Sequence, residues 1–439
     1  MSATRPPASR PGTEAEPGPG TADGSSSMTP PVPGTAPEAP AAPEAGRERP
    51  RWSRPARAMV ALALLWACYT VLQRLLSGRW WVMLVPDLMP PVVFLLVPVV
   101  LAGTAVAAGA WRSRARTGRP SRTPSYPPSG TPSRTRPGGP RRTAVVLVCC
   151  LAVFSAAVSW PRNGVRLSAL THGASATAAG DLRIVSWNTT WWGQDVDTDR
   201  FWAVLKAQRA DVYLLQEYLH GIDHRQENLR PVDDLARIRS EFPGYHVVSR
   251  GELITLSRYP VTGSKLVGPG AAVADRPDAP WLEVYRAVKT LRVDIRVGDR
   301  PLTLYNVHIP VQIDPGPHLL SPSVLGMLQD RQRSRRAQFA GLEDEVREQR
   351  ERGAALVVAG DFNSSPAMGE LSELRGTLRD AADSGGGVYP RTWNELVPVL
   401  GLWRLDWAFT TGRVTVDRYR LDRMDGLSDH RAQILEVSL

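Results

Sequence analysis

The sequence has only three cysteines in 439 residues, and none of them follows Cys150. Cys68, Cys149 and Cys150 all fall within apolar runs. Residues 181–439 therefore have no thiol with which to form a disulfide framework or a Cys-based metal site. That segment is long enough to build a hydrophobic core without covalent crosslinks.

Large apolar side chains are almost absent from residues 1–50, which consist mainly of Pro, Ala, Gly, Ser and Thr. Such a composition offers too little burial to offset the entropy of ordering the chain. We therefore expect a disordered tail over residues 1–57.

Acidic residues are absent from another stretch, residues 112–143, which is rich in Pro, Ser and Gly and contains nine arginines.

Positive charge is unevenly distributed along the chain. Residues 1–180 hold 20 of the 53 basic and 7 of the 43 acidic residues, which leaves 33 and 36 for residues 181–439. The net charge of +10 is therefore +13 in the N-terminal part and −3 in the C-terminal part. A basic folded domain would suggest a nucleic-acid partner, but here the excess lies outside the folded domain.

Three long apolar runs, at residues 58–76, 90–111 and 144–160, approach the ~20 residues that a helix needs to cross a bilayer. A buried core helix or a signal peptide is the alternative for a single run, but three runs in close succession favour membrane spans. The basic loop 112–143 belongs on the cytoplasmic side, although its arginines also suit a solvated linker that binds anionic lipid or nucleic acid. The sequence thus predicts a multi-pass cell-membrane protein with a cytoplasmic tail, a linker at 161–180 and an extracytoplasmic domain at 181–439.

Residues 181–439 alternate between strand and helix patterns. The stretch 356–366, LVVAGDFNSSP, reads as a buried strand that presents Asp361 and Asn363 at its end, with a strand and an Asx turn as the alternative. Residues 324–352 have the pattern of a long charged helix, and residues 281–297 that of a long strand. The alternation indicates an α/β fold with more than one sheet layer.

Several polar side chains lie within or at the ends of these apolar strand patterns, where an unpaired polar group is costly. They are Asn188, Glu217, Asn306, His308, Asp361, Asn363, Asp406, Asp429 and His430. One such residue is usually a cap or a turn residue, but so many together predict a shared site. The set is rich in oxygen and free of thiols, which suits Mg²⁺ or Mn²⁺ rather than structural Zn²⁺.

Six short motifs give the sequence a specific resemblance. WN at 187–188, QE at 216–217, NVH at 306–308, GDFN at 360–363, LDW at 405–407 and SDH at 428–430 occur in this order. With them, residues 181–439 resemble the endonuclease/exonuclease/phosphatase superfamily. The resemblance implies a four-layer α/β sandwich, in which two packed mixed sheets are flanked by helices and the site lies at one edge. The layout of three apolar runs before such a domain is similar to VanJ-type actinobacterial membrane proteins, which are linked to glycopeptide resistance.

The resemblance also implies a metal site. Glu217 would be the principal Mg²⁺ ligand, with Asn188 and Asp429 completing or supporting the metal shell. Many nuclease members carry an acidic residue two positions after the WN asparagine, whereas this chain has Thr190. The departure puts a second metal ion or a further ligand at that position in doubt.

The remaining motif residues would perform the reaction. By resemblance, Asp361 would orient and deprotonate the attacking water, and Asn363 and His308 would bind the charge that develops on phosphorus. His430, held by Asp406, would contact the scissile phosphate or assist proton transfer. This division agrees with the needs of phosphoryl transfer, which are a cation, a positioned base and fixed donors. An Asp–His pair also fixes the ring tautomer.

Together these features predict a membrane-anchored, metal-dependent phosphatase or phosphodiesterase that acts on a lipid-linked or cell-envelope phosphate. The second possibility is a membrane-tethered extracellular nuclease, which needs a basic groove that a C-terminal net charge of −3 does not favour, although residues 331–336 carry local positive charge. The third is a non-catalytic, membrane-tethered binding protein. The joint presence of Glu217, Asp361, Asn363, Asp429 and His430 argues against it.

Overall fold

The computed structural model describes residues 52–117, 140–170, 180–194, 196–221, 228–313, 323–393 and 401–439. The expected disordered tail falls almost wholly outside these ranges, as do residues 118–139 of the basic loop and 171–179 of the linker. The proposed division of the chain into tail, membrane region, linker and C-terminal domain stays a prediction.

The first three helices are α1 (Arg54–Leu76), α2 (Val93–Thr117) and α3 (Pro140–Ser159). Segments Arg54–Leu76, Val93–Ala110 and Arg142–Arg162 are long and apolar enough to cross a membrane. Small side chains such as Ala63, Ala105 and Ala144 pack the helices together, while many of their leucines and valines stay exposed. Exposed apolar surface of this extent indicates association with a membrane.

The other described elements alternate between helix and strand. The helices are α4 (Thr198–Ala207), α5 (Leu235–Glu241), α6 (Trp281–Ala287), α7 (Ser323–Glu351) and α8 (Ser372–Thr377). The strands are β1 (Leu182–Asn188), β2 (Val212–Gln216), β3 (Leu219–His220), β4 (Arg230–Pro231), β5 (His246–Arg250), β6 (Leu253–Ser257), β7 (Val261–Leu266), β8 (Thr290–Val297), β9 (Arg300–His308), β10 (Leu356–Asp361), β11 (Arg379–Asp380), β12 (Asp406–Thr410), β13 (Thr415–Asp422) and β14 (Ala432–Ser438).

Two six-stranded sheets dominate the described fold. Their strand orders are β13-β14-β1-β2-β6-β5 and β11-β12-β10-β9-β8-β7. Strands β1 and β2 are parallel, as are β9 and β10, and the other pairs in both sheets are antiparallel, so both sheets are mixed. The sheets pack face to face, because residues such as Ile184 and Leu214 of the first share a core with Leu304 and Val357 of the second.

Helices cover the outer face of each sheet. Trp187 of β1 packs with Phe201 of α4 in one outer core, and Tyr305 of β9 packs with Phe339 of α7 in the other. Central strands such as β10 are therefore buried on both faces, which explains their nearly continuous apolar sequence. The result is the four-layer α/β sandwich that the resemblance implied, preceded by three apolar helices.

One predicted strand is wrong in its first half. Residues 281–297 were expected to form a single strand, but Trp281–Ala287 is helix α6 and the strand begins at Thr290. The apolar residues Trp281, Val284 and Val288 also fit helical i, i+3, i+7 spacing. Pro280, immediately before the helix, is a helix-start signal that the alternating pattern concealed.

Asn306 does not belong to the candidate site, contrary to the sequence expectation. Its Nδ2 donates hydrogen bonds to Leu215 O and Ile254 O, both at 3.0 Å, and its Oδ1 accepts one from Gln216 Nε2 at 2.7 Å. The side chain is fully buried and joins the second sheet to the backbone of the first. Its polarity is satisfied by sheet packing, so it fixes how the sheets face each other.

Candidate active site

Polar side chains from both sheets meet at one edge of the fold. Strands β12 and β14 run antiparallel to β10 and β1, so they start where β10 and β1 end. The side chains placed at this edge are Asn188, Glu217, His308, Asp361, Asp406 and His430. Cross-sheet contacts confirm that the edges coincide, since Asn188 Nδ2 of the first sheet donates to Asp361 Oδ2 of the second at 3.1 Å.

Asp361, Asp406 and His430 form a buried cluster. His430 Nδ1 lies 2.9 Å from Asp406 Oδ2, and His430 Nε2 lies 3.7 Å from Asp361 Oδ2. One ligand atom from each residue lies within 4.8 Å of the others, so the cluster could also hold a metal ion. The Asp406 contact orients the ring so that its second nitrogen faces Asp361.

Charge determines the pKa values of this cluster. Burial alone would lower the pKa of His430, but the negative charges of Asp406, Asp361 and Asp429 raise it well above its usual value. Burial raises the pKa of Asp361; the charge of His430 lowers it, that of Asp406 raises it and that of His308 lowers it. A carboxylate with a raised pKa is a stronger base, and the negative charges around the imidazole favour its protonated form.

We expect Asp406→Asn to lower the pKa of His430 in the metal-free protein, because burial is then opposed by fewer negative charges. NMR titration of the seven histidines in the presence of chelator would identify the ring that titrates well above pH 6.5. The matched control is Asp299→Asn, on the exposed turn between β8 and β9. The same high pKa in the Asp406 variant would show that this carboxylate does not hold the proton.

Asn363 supports Asp361 directly. Its backbone N donates to Asp361 Oδ1 at 2.8 Å, and its Nδ2 donates to Asp361 Oδ2 at 3.2 Å and to Ile309 O at 2.9 Å. The residue adopts a positive φ of 44°, a conformation that asparagine tolerates better than most residues. The turn after β10 thus fixes the orientation of the carboxylate.

Glu217 lies at the mouth of the site, directly after β2. Its Oε1 accepts a hydrogen bond from Asn188 Nδ2 and its Oε2 one from Trp191 N, both at 3.0 Å. Burial raises the pKa of Glu217; His308 and the Asn188 hydrogen bond lower it, and the charges of Glu252 and Asp429 raise it. The like charges around this carboxylate are the kind of environment that a divalent cation relieves.

Asp429 is held on the other side of Asn188. Its Oδ1 accepts a hydrogen bond from Thr190 Oγ1 at 2.5 Å and its Oδ2 one from Trp393 Nε1 at 2.7 Å. Burial would raise the pKa of Asp429, but His430 and these two hydrogen bonds lower it. Thr190, which stands where many nucleases have an acid, therefore orients an acidic side chain instead of adding one.

A buried ion pair that the sequence analysis missed lies behind His308. Glu252 Oε2 is 3.0 Å from His308 Nδ1, and its Oε1 pairs with Lys289 Nζ. Burial would lower the pKa of His308, but Glu252 and Asp361 raise it. Glu252 directly precedes β6 and Lys289 directly precedes β8, where a charged residue usually faces solvent. Only the packing of strands from different sheets brings the two together.

The residues around Glu217 fit a divalent cation. Glu217 and Asp429 supply hard oxygen donors, which Mg²⁺ and Mn²⁺ prefer. Asn188 directs its nitrogen to Glu217 and Asp361, while its Oδ1 accepts a hydrogen bond from Thr190 N at 3.0 Å. In this orientation Asn188 bridges two carboxylates, and ligation through Oδ1 requires the amide to turn over.

A cleft of about 140 Å³ opens beside Glu217 and His308. Three basic side chains line it, Arg286, Lys289 and Arg331, and Lys289 is paired with Glu252 of the same lining. The apolar residues Trp191, Leu219, Leu229 and Val311 complete this part of the wall. The cleft therefore offers an anionic group positive charge near the candidate catalytic residues, and an apolar wall beside it.

The fold and this edge of carboxylates, amides and histidines define an α/β protein of the phosphoesterase type. A model of the Endonuclease/Exonuclease/phosphatase family matches residues 185–430, which is more than half of the 439-residue chain. The chain therefore belongs to the endonuclease/exonuclease/phosphatase family, whose members hydrolyse phosphoester bonds and generally depend on divalent metals. No curated protein matches the chain.

Solved structures of low sequence identity are similar to a little over half of the chain. An endonuclease/exonuclease/phosphatase from Beutenbergia cavernae shares 19% identity over 59% of this chain and 71% of that chain, with a TM-score of 0.41. The 3' phosphatase NExo from Neisseria, bound to product DNA hairpin, shares 18% over 58% and 98%, with a TM-score of 0.40. The human Nocturnin catalytic domain, with bound sulfate, shares 14% over 58% and 94%, with a TM-score of 0.39. Their names do not bear on the VanJ-type layout, which stays a prediction.

Proposed function

We propose that the chain is a membrane-anchored, metal-dependent phosphatase or phosphodiesterase with an extracytoplasmic active site, acting on a lipid-linked or cell-envelope phosphate. The strongest support is the position of Asp361, a buried carboxylate that faces His430 and is fixed by Asn188 and Asn363. With Glu217 nearby, the edge offers a base, a cation site and fixed donors, the three needs of phosphoester hydrolysis.

In the proposed reaction, Asp361 accepts a proton from water while the water oxygen attacks phosphorus. The new P–O bond forms as the bond to the leaving oxygen breaks, and His430, cationic beside Asp406, contacts the phosphate or donates a proton to that oxygen. The raised pKa of Asp361 makes it an effective base, and the raised pKa of His430 keeps its proton available.

Glu217, with Asp429 and Asn188, would hold Mg²⁺ or Mn²⁺. When bound, the ion supplies positive charge to the non-bridging phosphate oxygens. Asp429 is suited to this role because Thr190 and Trp393 fix its orientation, and because the charge of His430 and these two hydrogen bonds lower its pKa, so that it stays ionised.

His308 and Asn363 are the proposed donors to charge that develops on phosphorus. Glu252 lies next to His308 Nδ1, so Nε2, which lies 3.6 Å from Asp361 Oδ2, is the nitrogen directed towards the site. Asn363 Nδ2 also donates to Ile309 O and to Asp361 Oδ2, so the same side chain positions the base.

The extracytoplasmic location is tested by topology reporters fused at Leu439. Three candidate spans and a nine-arginine loop between the second and the third support an extracytoplasmic location of the C-terminal domain. We therefore expect a periplasm-type reporter to be active and a cytoplasm-only reporter to be silent. The opposite pattern would show that one apolar helix does not span.

The substrate class is tested with the full chain in nanodiscs. We expect hydrolysis of a long-chain lipid phosphate at least as fast as that of duplex DNA, with dependence on Mg²⁺ or Mn²⁺. A net charge of −3 in residues 181–439 gives DNA little electrostatic attraction. Rapid metal-dependent DNA degradation without turnover of lipid phosphates would favour the tethered nuclease instead, and no turnover of any ester would favour the binding protein.

The VanJ-type layout adds a proposed role in glycopeptide resistance. Such a role requires the substrate to be a phosphate of the cell envelope, because glycopeptides act on that compartment. The same nanodisc panel therefore bears on it: a chain that hydrolyses DNA and no lipid phosphate would remove the basis for this role.

A further inference from the structure

The span connection, residues 77–92 between α1 and α2, contacts the part of the fold that carries the candidate site. Ser77 Oγ accepts a hydrogen bond from Gly369 N, and Gly78 O accepts one from Gln332 Nε2, both at 2.8 Å. A side chain at position 369 would place its Cβ 2.1 Å from Ser77 O, so only glycine permits this approach. The span connection is therefore packed against the C-terminal domain.

Two further hydrogen bonds extend this contact. Gln73 Nε2, near the end of α1, donates to Ala367 O at 2.6 Å, and Trp403 Nε1 donates to Leu88 O at 3.0 Å. Ala367 lies in the loop that follows Asp361, and Trp403 lies three residues before the start of β12. The membrane helices thus meet the two loops that adjoin Asp361 and Asp406.

A buried polar network makes this contact rigid. Asp87 accepts hydrogen bonds from Gln73 Nε2 at 2.9 Å and from Ser77 Oγ at 2.6 Å. Arg162, three residues after the end of α3, donates to Gln73 O at 2.8 Å and to its Oε1 at 2.7 Å. Because such buried groups are satisfied only in this arrangement, the ends of α1 and α3 hold the domain in one orientation.

Apolar side chains border the same contact. Leu84 of the span connection packs against Val324 and Leu328 of α7. Leu325, beside Val324 on α7, is 54% exposed, and Val311 is 37% exposed. They are the two most exposed large apolar side chains described in the C-terminal domain. Trp80 of the span connection is 48% exposed. We refer to Trp80, Val311 and Leu325 as the apolar rim.

One member of the apolar rim, Val311, also belongs to the candidate cleft. Val311 lines the cleft beside His308 and Glu217, and the loop that contains it directly follows β9. Arg331 also lines the cleft from α7, one position before Gln332, which contacts the span connection. The cleft therefore opens next to the point where the chain leaves the membrane.

We infer that the cleft faces the bilayer surface and that the apolar rim lies in the adjoining leaflet, so that the site receives phosphate esters of membrane lipids directly from that leaflet. The inference rests on the proposed phosphoesterase function. A tryptophan next to a span and exposed aliphatic side chains beside it are typical of a membrane interface. The positive charges of Arg286 and Arg331 would attract the phosphate group towards Glu217. The acyl chains of the lipid would stay in the hydrocarbon interior of the bilayer.

The position of the rim is tested without activity. In the full chain, Cys68, Cys149 and Cys150 are replaced by serine, and Leu325→Cys is labelled with an environment-sensitive fluorophore in phosphatidylcholine nanodiscs. Spin-labelled phosphatidylcholine should quench this fluorophore strongly. The matched control, Asp299→Cys on the exposed β8–β9 turn at the opposite end of β9, should be quenched little. Equal, weak quenching at both positions would overturn the inference.

The direct supply of lipid is tested by comparing two esters, dioleoyl phosphatidic acid in the nanodisc and soluble glycerol 3-phosphate. Leu325→Glu and Leu325→Ser should lower the ratio of lipid to soluble turnover by about tenfold, the loss expected when one apolar side chain leaves its apolar environment. An unchanged ratio, with Leu325 labelled but unquenched, would overturn the inference and leave the proposed function standing. Strong quenching with no turnover of either ester would support the membrane-facing cleft and contradict the proposed function.

Discussion

Asp361→Asn should lower kcat by about a thousandfold, the typical effect of removing a positioned general base. The amide has the same shape as the carboxylate and keeps an oxygen that can accept the hydrogen bond from Asn363 N. It cannot take a proton from water. Because burial and Asp406 both raise the pKa of Asp361, the variant also loses an unfavourable buried charge, so we expect folding to be preserved.

Single-turnover and steady-state rates on the same phosphate ester, in the presence of Mg²⁺, would measure this effect. The control is Asp299→Asn, which makes the same change on an exposed turn far along β9 from the site and should keep the wild-type rate. A decrease of less than tenfold in the Asp361 variant, with unchanged metal affinity, would assign the base to another residue.

Local patterns in the sequence predicted an α/β fold with more than one sheet layer and a candidate site shared by strand ends, whereas the four-layer arrangement was implied by the resemblance. Apolar runs such as that of β10 are buried on both faces, and the polar residue that ends each run must lie at a sheet edge. Asp361 and His308 follow this rule. The pairing of His430 with Asp406 was implied by the resemblance. His430 lies just before β14 and Asp406 begins β12, and the two strands belong to different sheets whose edges meet.

Depth within the sandwich could not be predicted in the same way. Asn306 and His308 are two residues apart on β9 and share a face, but Asn306 lies about 6.6 Å further from the strand end. At that depth it meets the backbone of the other sheet rather than the cleft. Residue spacing alone gives the face of a strand, and only the packing of the second sheet determines which positions remain open.

The Glu252–Lys289 ion pair could not be predicted from the sequence for a related reason. The two residues are 37 positions apart, and each stands before an apolar strand, where a charged residue is ordinary. Their burial depends on β6 and β8, which belong to different sheets. Contacts between sheets carry no periodic signal along one chain, so the support behind His308 emerges only in three dimensions.

Glu217→Gln should weaken Mg²⁺ binding by at least about a hundredfold, because loss of a ligating carboxylate exceeds the cost of losing a supporting hydrogen-bond partner. The glutamine amide keeps an oxygen that can accept from Trp191 N, so the local fold should persist. Calorimetric titration of Mg²⁺, or of Mn²⁺ followed by its paramagnetic signal, measures the affinity directly. In the wild type, chelation should abolish activity and added Mg²⁺ or Mn²⁺ should restore it.

Without metal, the Glu217→Gln variant should be thermally more stable than the wild type. Burial and the charges of Glu252 and Asp429 raise the pKa of Glu217, so the folded state favours its protonated form. That contribution to stability is present below the ordinary glutamate pKa and is lost as pH rises through the raised value. At neutral pH, without metal, Glu217→Gln should therefore unfold at a higher temperature than the wild type, and added Mg²⁺ should reverse the order. Full activity in excess chelator, or equal Mg²⁺ affinity in both proteins, would contradict the role of Glu217 as a metal ligand.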